Sequence, residues 1–201
     1  MGALVAAARE PDYPARIVLV LSNRADAAGL ALAEAAGIPT VVVPHTAQTC
    51  ERRAHEAAIQ DALERAGAQI VCLAGYMRLL TPFLVDRWAG RMLNIHPSLL
   101  PAFPGLHTHS RALAAQARLH GCTVHVVTEA TDGGPILAQA AVPVLPGDTE
   151  ATLAGRVLRQ EHRLYPLALR LFVSGAPPGP SMLPTDDAAL LNPLPPPSRS
   201  P

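Results

Sequence analysis

Asn94, His96 and Asp132 are the residues whose types and spacing could do chemistry. Asn94 and His96 close the apolar run MLNIH two positions apart, so both side chains leave the same face of a strand. Pro97 then ends the ladder and frees the chain to loop over them. Asp132 stands in a second loop, TEATDGGP (Thr128–Pro135), ahead of two glycines that permit tight backbone geometry. An amide donor, an imidazole and a carboxylate can together run acyl transfer. The amide holds a developing oxyanion, the imidazole shuttles or stabilises charge, and the carboxylate orients or assists it. Each residue also has a plainer reading. A histidine at a strand end can be a hydrogen-bonded structural group, an Asp before Gly-Gly a turn residue, and an Asn in a strand a local cap.

A metal centre is the competing chemistry, because His96, His107, His109 and His125 could all supply nitrogen ligands. His107 and His109 begin a helix at i and i+2, which points them in different directions, and no HxxxH or HExxH pattern occurs. The expectation is therefore no metal.

These residues must be positioned by alternating strands and helices. ARIVLVLSN, PTVVVPH, QIVCLAGY, RMLNI, CTVHVVTE and PILAQAAVPV read as strands. ADAAGLALAEAAG, TCERRAHEAAIQDALERAGA, TPFLVDRWAG, HTHSRALAAQARLHG and the long DTEATLAGRVLRQEHRLYPLALRLFVSG read as helices. The TCERR helix would carry Ala54, Ala57, Ala58, Leu63 and Ala66 on or near one face. Thr81 would cap the helix that starts at Pro82, the histidine-led helix would end near Gly121, and the last would bend near Pro166. This alternation predicts an α/β protein with a doubly wound, mostly parallel sheet, helices on both faces, and ligands at the carboxyl ends of strands.

The totals narrow the partners. Charged residues make up 16% of 201 and sum to zero, with no basic block, so nothing attracts a phosphate backbone. No apolar run is long enough for a membrane span. Cys50, Cys72 and Cys122 are widely spaced and odd in number, which fits reduced thiols in a cytoplasmic protein. Nine of the 21 prolines fall between Pro177 and Pro201, so residues 174–201 are expected to be a disordered tail behind a domain at 1–173.

Longer stretches carry a resemblance. LNIHPSLLPAFPGLHTH, GCTVHVVTEATDGGPILAQAAVPV and RVLRQEHRLYPLAL closely resemble the phosphoribosylglycinamide formyltransferases of purine biosynthesis, and SNRADAAGLALAEAAGIPT and VCLAGYMRLLTPFLVDRWAGRMLN match the same family. The resemblance spans roughly residues 3 to 172. It implies transfer of formyl from the co-substrate 10-formyltetrahydrofolate to the amine of glycinamide ribonucleotide, without metal, by a monomer or weak homodimer acting on small molecules. It implies that Asn94, His96 and Asp132 are catalytic: Asn94 donating to the formyl oxygen, a protonated His96 stabilising the oxyanion, Asp132 pairing with His96 and helping to move the amine proton. It implies a folate site from Met77, Arg78, Leu79, Leu80, Asn94, Thr128, Glu129, Ala130, Thr131 and Asp132, with Arg52 facing the glutamyl carboxylate. Gln160 and Glu161 match the ribonucleotide-binding end. A folate-binding remnant without transferase activity and a formyltetrahydrofolate hydrolase are the alternatives.

The family opens with a strand and a Gly-Ser-Asn loop that holds the substrate phosphate at a helix N-terminus. Here ALVAAA matches the inside of the helix after that loop, so the family's first strand and phosphate loop are missing from the sequence. RIVLVLSN would then lack a ladder partner on one side, and the working enzyme is expected to carry the strand and loop upstream.

Overall fold

The computed structural model describes residues 1–45 and 52–175, together with the backbone of 190–193. Cys50, the first turn expected for the TCERR helix, and residues 176–189 and 194–201 of the expected tail lie outside the described residues. The elements run α1 (Gly2–Ala7), β1 (Val20–Ser22), α2 (Ala28–Ala35), β2 (Thr40–Val42), α3 (Arg52–Arg65), β3 (Val71–Leu73) and α4 (Pro82–Arg87). Then follow β4 (Met92–His96), α5 (Thr108–Ala114), β5 (Leu119–Val126), β6 (Ile136–Pro143), α6 (Glu150–Ser174) and β7 (Leu190–Pro193).

The α/β alternation is as the sequence predicts, and pairing is parallel in β1–β2 and β3–β4. From β5 onward it turns antiparallel: β4 with β5, β5 with β6, and β6 with β7. The strands form two sheets, β1-β2 and β3-β4-β5-β6-β7. Among the described residues neither β1 nor β3 has a ladder partner on its other edge, as expected for RIVLVLSN. A cavity of about 780 Å³ lies between those edges, lined from one side by Ile17–Leu21 and from the other by Ile70–Leu73. Side chains bridge it. Leu19 and Leu21 pack on the same cluster as Val71 and Leu73, built from Ile59, Leu63, Leu84, Trp88 and Met92. Paired on one edge among the described residues, β1 covers only Val20–Ser22, while the whole of Ala15–Asn23 has a strand-like composition.

The main core lies between α6 and the antiparallel strands, where Leu153, Val157 and Leu164 are fully buried against Val124, Ala138 and Ala140. Thr149 and Thr152 close a reciprocal capping box at the start of α6. Asp148 accepts both Arg156 guanidinium nitrogens, at 2.7 and 2.8 Å. Pro166 stays inside one continuous helix, and its carbonyl accepts a 2.8 Å bond from the Tyr13 hydroxyl. Tyr165, 3% exposed, hydrogen-bonds the Leu73 and Leu93 carbonyls and so ties α6 to β3 and β4.

Three local expectations are corrected. The buried face of α3 carries His55, Glu56, Ile59, Gln60, Ala62 and Leu63, while Ala54 and Ala58 are exposed. Specific partners outweigh the apolar pattern: Trp88 Nε1 donates to Gln60 at 2.7 Å, and Glu56 accepts from the Thr81 N–H at 2.8 Å. Thr81 does stand at the α4 N-cap position, yet its hydroxyl donates to Glu56 instead of capping the helix. α5 ends at Ala114 rather than near Gly121, because Gln116 turns left-handed (φ 51°) and the Ala117 N–H returns to the Ala112 carbonyl, a Schellman-type stop. α6 itself runs to Ser174, and the backbone of Leu190–Pro193 pairs with the open edge of β6.

Candidate active site

The register of β4 against β5 builds the site. Asn94 stands directly opposite His125, and His96 opposite Thr123. Directly opposed residues of an antiparallel pair bring their side chains together, and Asn94 Nδ2 lies 3.2 Å from His125 Nε2. His125 Nδ1 is 3.1 Å from the Val126 carbonyl oxygen. A carbonyl accepts only, so the proton of neutral His125 sits on Nδ1 and its Nε2 accepts from the Asn94 amide. Burial, the largest influence on His125, pushes its titration down and favours this neutral form. A register irregularity between Val124 and His125 falls at this point of the β5–β6 ladder.

His96, 6% exposed, is held from both ends. Its Nε2 lies 3.1 Å from the Phe103 carbonyl oxygen, and its Nδ1 lies 3.4 Å from Asp132 Oδ2. Asp132 Oδ1 is 3.7 Å from His125 Nε2. Asp132 also accepts a 2.8 Å bond from the Gly105 N–H, which joins its loop to the one after β4. Asp132 is itself left-handed (φ 52°), a conformation that Asp tolerates better than most residues. The loop can turn this tightly because Gly134 has no Cβ: one there would overlap the Val126 carbonyl.

The structure thus brings Asn94, His96 and Asp132 together and adds His125. With Nε2 committed to a carbonyl, a neutral His96 would turn a bare Nδ1 towards a carboxylate. At least one proton therefore belongs between His96 and Asp132. At 3.4 Å this contact is looser than a closed ion pair of roughly 2.7–2.9 Å.

In the sequence His125 stands out only as a possible metal ligand. Its role depends on an antiparallel β4–β5 register, which composition does not reveal. The Phe103 carbonyl and Gly105 N–H are backbone groups with no residue-type signature. Among the described residues no three His, Cys, Asp or Glu side chains are grouped to hold a metal ion.

The remaining candidates are spread around this group. Met77, Arg78, Leu79 and Leu80 lie between β3 and α4, with Met77 74% and Leu79 62% exposed. Arg78 Nη1 is buried without a hydrogen-bond partner among the described residues. Leu80 and Val127 pack on the same apolar cluster, so the two loops expected to bind folate share one wall. Thr128, Glu129 and Ala130 line a cavity of about 580 Å³ with Val85 and Val127, and Thr131 is exposed. Arg52 is exposed at the first position of α3. Its neighbour Arg53 lies over the Phe83 ring at 5.5 Å. Glu161 is half-buried, and burial raises its carboxyl. Gln160 is 2% exposed and its Oε1 accepts from Arg163, so it is packed into the protein rather than presented at the surface.

The Formyl transferase family model matches residues 1–169. The chain is 43% identical over 173 residues to phosphoribosylglycinamide formyltransferase of Escherichia coli K12, covering 86% of this chain and 81% of that protein. It is 51% identical over 174 residues to the trifunctional purine biosynthetic protein adenosine-3 of Bos taurus, covering 87% of this chain but only 17% of that longer protein. The crystal structure of phosphoribosylglycinamide formyltransferase from Brucella melitensis superposes with a TM-score of 0.82 at 59% identity, covering 90% of this chain and 92% of that one.

Proposed function

The chain belongs to the formyl transferase family, and from that premise we propose that it transfers a formyl group from 10-formyltetrahydrofolate to the amine of phosphoribosylglycinamide. The observation that carries this reading is the grouping of Asn94, His96, His125 and Asp132 at the carboxyl end of β4 and the loop beside it. It is an acyl-transfer constellation, with amide and imidazole donors on one side and a carboxylate on the other.

The substrate amine attacks the formyl carbon. A C–N bond forms, and the carbonyl electron pair moves to oxygen. One Asn94 Nδ2–H is directed to His125, which leaves the second for that oxyanion. His96, protonated on both nitrogens, donates Nε2–H to Phe103 and has Nδ1–H for the oxyanion and Asp132. The loose 3.4 Å contact leaves room for this shared bond. Asp132 takes the proton released by the attacking amine and delivers it to the folate nitrogen as the C–N bond to folate breaks. Formyl-product and free tetrahydrofolate result, with no net proton gained or lost by the protein.

The folate donor would lie along the wall of Leu80 and Val127, with backbone groups of Met77–Leu80 and Thr128–Asp132 reading the pterin edge. Arg52 would meet the glutamyl carboxylate, and Glu161, with Gln160 behind it, the ribonucleotide. The assay is transfer of labelled formyl from 10-formyltetrahydrofolate to phosphoribosylglycinamide. Formylated ribonucleotide is the expected product. Release of formate alone, with and without ribonucleotide, would replace this reading with hydrolysis.

A further inference from the structure

The stretch from Ala74 to Leu80 forms neither helix nor strand between β3 and α4. Among the described residues, none of its backbone groups is hydrogen-bonded to the rest of the fold. Backbone donors and acceptors left open in this way are available to a ligand. A segment without bonds of its own takes its path from its two ends. At the first end the Leu73 carbonyl accepts a 3.0 Å bond from Tyr165 of α6. At the other end stands Thr81.

Every polar group of Thr81 is in use. Its carbonyl accepts the Leu84 and Val85 N–H groups and so starts α4. Its N–H and its hydroxyl both go to Glu56 of α3, one to each carboxylate oxygen. A threonine at an N-cap ordinarily turns its hydroxyl to the helix's own N–H groups. Here that bond is given up for the one to Glu56. Glu56 is 3% exposed, and a carboxylate at that depth is costly unless its oxygens are bonded. One turn further along α3, Gln60 accepts from Trp88 Nε1 at the far end of α4. α3 therefore clamps α4 at both ends, but only the Glu56 end continues into Met77–Leu80. Tyr76 also lies in the field of Glu56: burial pushes its hydroxyl up, Arg78 pulls it down and Glu56 pushes it up again.

We propose that Glu56 is a positioning residue for the folate donor: by fixing Thr81 it holds the open backbone of Met77–Leu80 in the conformation that reads the pterin edge. The identity of the ligand rests on the formyl-transfer reading above, whereas the anchoring of the loop does not. Glu56 touches no substrate. Its loss weakens binding of the donor equally in the ground state and the transition state, which raises KM and leaves kcat in place.

The test uses the full chain. Amide exchange followed by NMR reads the Thr81 N–H without any ligand. Calorimetry with tetrahydrofolate and steady-state formyl transfer read the site. The Thr81 N–H should be protected in the wild type and lose that protection in Glu56→Leu. The same variant should raise Kd for tetrahydrofolate and KM for 10-formyltetrahydrofolate about 10-fold, the equivalent of about one hydrogen bond to the ligand. Its kcat and its KM for the ribonucleotide should stay within about 2-fold of wild type. Glu56→Gln still offers Thr81 an acceptor oxygen, and its amide can donate to the hydroxyl, so it should restore most of the affinity. Gln60→Leu removes a buried contact from the same face of α3 and should lower the urea midpoint as Glu56→Leu does, with tetrahydrofolate affinity unchanged. If Glu56→Leu does not fold, Thr81→Val removes the hydroxyl bond alone and should weaken tetrahydrofolate about 3-fold. A Thr81 N–H that exchanges as fast in the wild type as in Glu56→Leu overturns the proposal. So does lost protection with unchanged tetrahydrofolate affinity, or an equal loss of affinity in Gln60→Leu. A wild type that protects the Thr81 N–H but binds no tetrahydrofolate overturns the folate reading and not the anchoring.

Discussion

Asp132 Oδ2 lies 3.4 Å from His96 Nδ1 while accepting a 2.8 Å bond from the Gly105 N–H. One oxygen thus joins the imidazole to the loop that covers it. Asp132→Asn keeps the shape but removes the charge that takes the amine proton. Turnover is expected to fall by at least about 10²-fold, as for loss of a general acid–base group, and His96→Ala by a similar factor. Steady-state formyl transfer, with circular dichroism to establish folding, measures both. Near-normal turnover in either variant would remove that residue from the mechanism.

His125 orients Asn94 from across the β4–β5 ladder. His125→Phe should leave the Asn94 amide free to rotate and reduce kcat by about 10-fold, with a smaller effect than Asn94→Ala, whose loss of an oxyanion donor is expected to cost about 10²–10³-fold. The double variant should cost little more than Asn94→Ala alone, because both changes act through one donor. Full additivity in this cycle would argue for an independent role of His125.

Gly134 leaves no room for a side chain beside Val126. Gly134→Ala should destabilise the protein by about 1–3 kcal/mol, the usual range for overpacking, and should displace Asp132 with the loop. Urea unfolding and turnover should both change. Wild-type stability would show that the loop yields easily.

Stability should also depend on His120, whose titration burial pushes down to about 4. Unfolded, it titrates near about 6.5. Between these values the unfolded chain binds a proton that the folded chain does not. Stability is therefore whole above about pH 6.5 and declines as pH falls towards about 4. His109 and His125, lowered by the same desolvation, act in the same direction. Urea midpoints across this range should fall less steeply for His120→Asn than for wild type. Parallel curves would mean that His120 titrates normally in the fold.

Much of this molecule is legible in its sequence. Asn94 and His96 show their shared face through the period of two, and Asp132 is marked by the glycines that follow it. What escapes is whatever depends on pairing across the sheet. His125 looks like any histidine in an alternating strand until the antiparallel register sets it opposite Asn94. The polar face of α3 runs against its alanine pattern because Trp88 and Thr81 supply partners from 20 or more residues away. The end of α5 was hidden because a glutamine, not a glycine, takes the left-handed position.

Asn94, His96 and His125 all lie on the five-stranded sheet, and Asp132 lies in the loop between two of its strands, β5 and β6. Among the described residues, Leu19, Leu21 and Val43 beside β1 and β2 meet that sheet through side chains, with no ladder between β1 and β3. Amide exchange would register this division as two rates of opening. Val20–Ser22 and Thr40–Val42 should exchange well before Met92–His96, whose ladder is bonded on both edges. The reacting groups are thus carried by one sheet and its loops, apart from the β1–β2 pair.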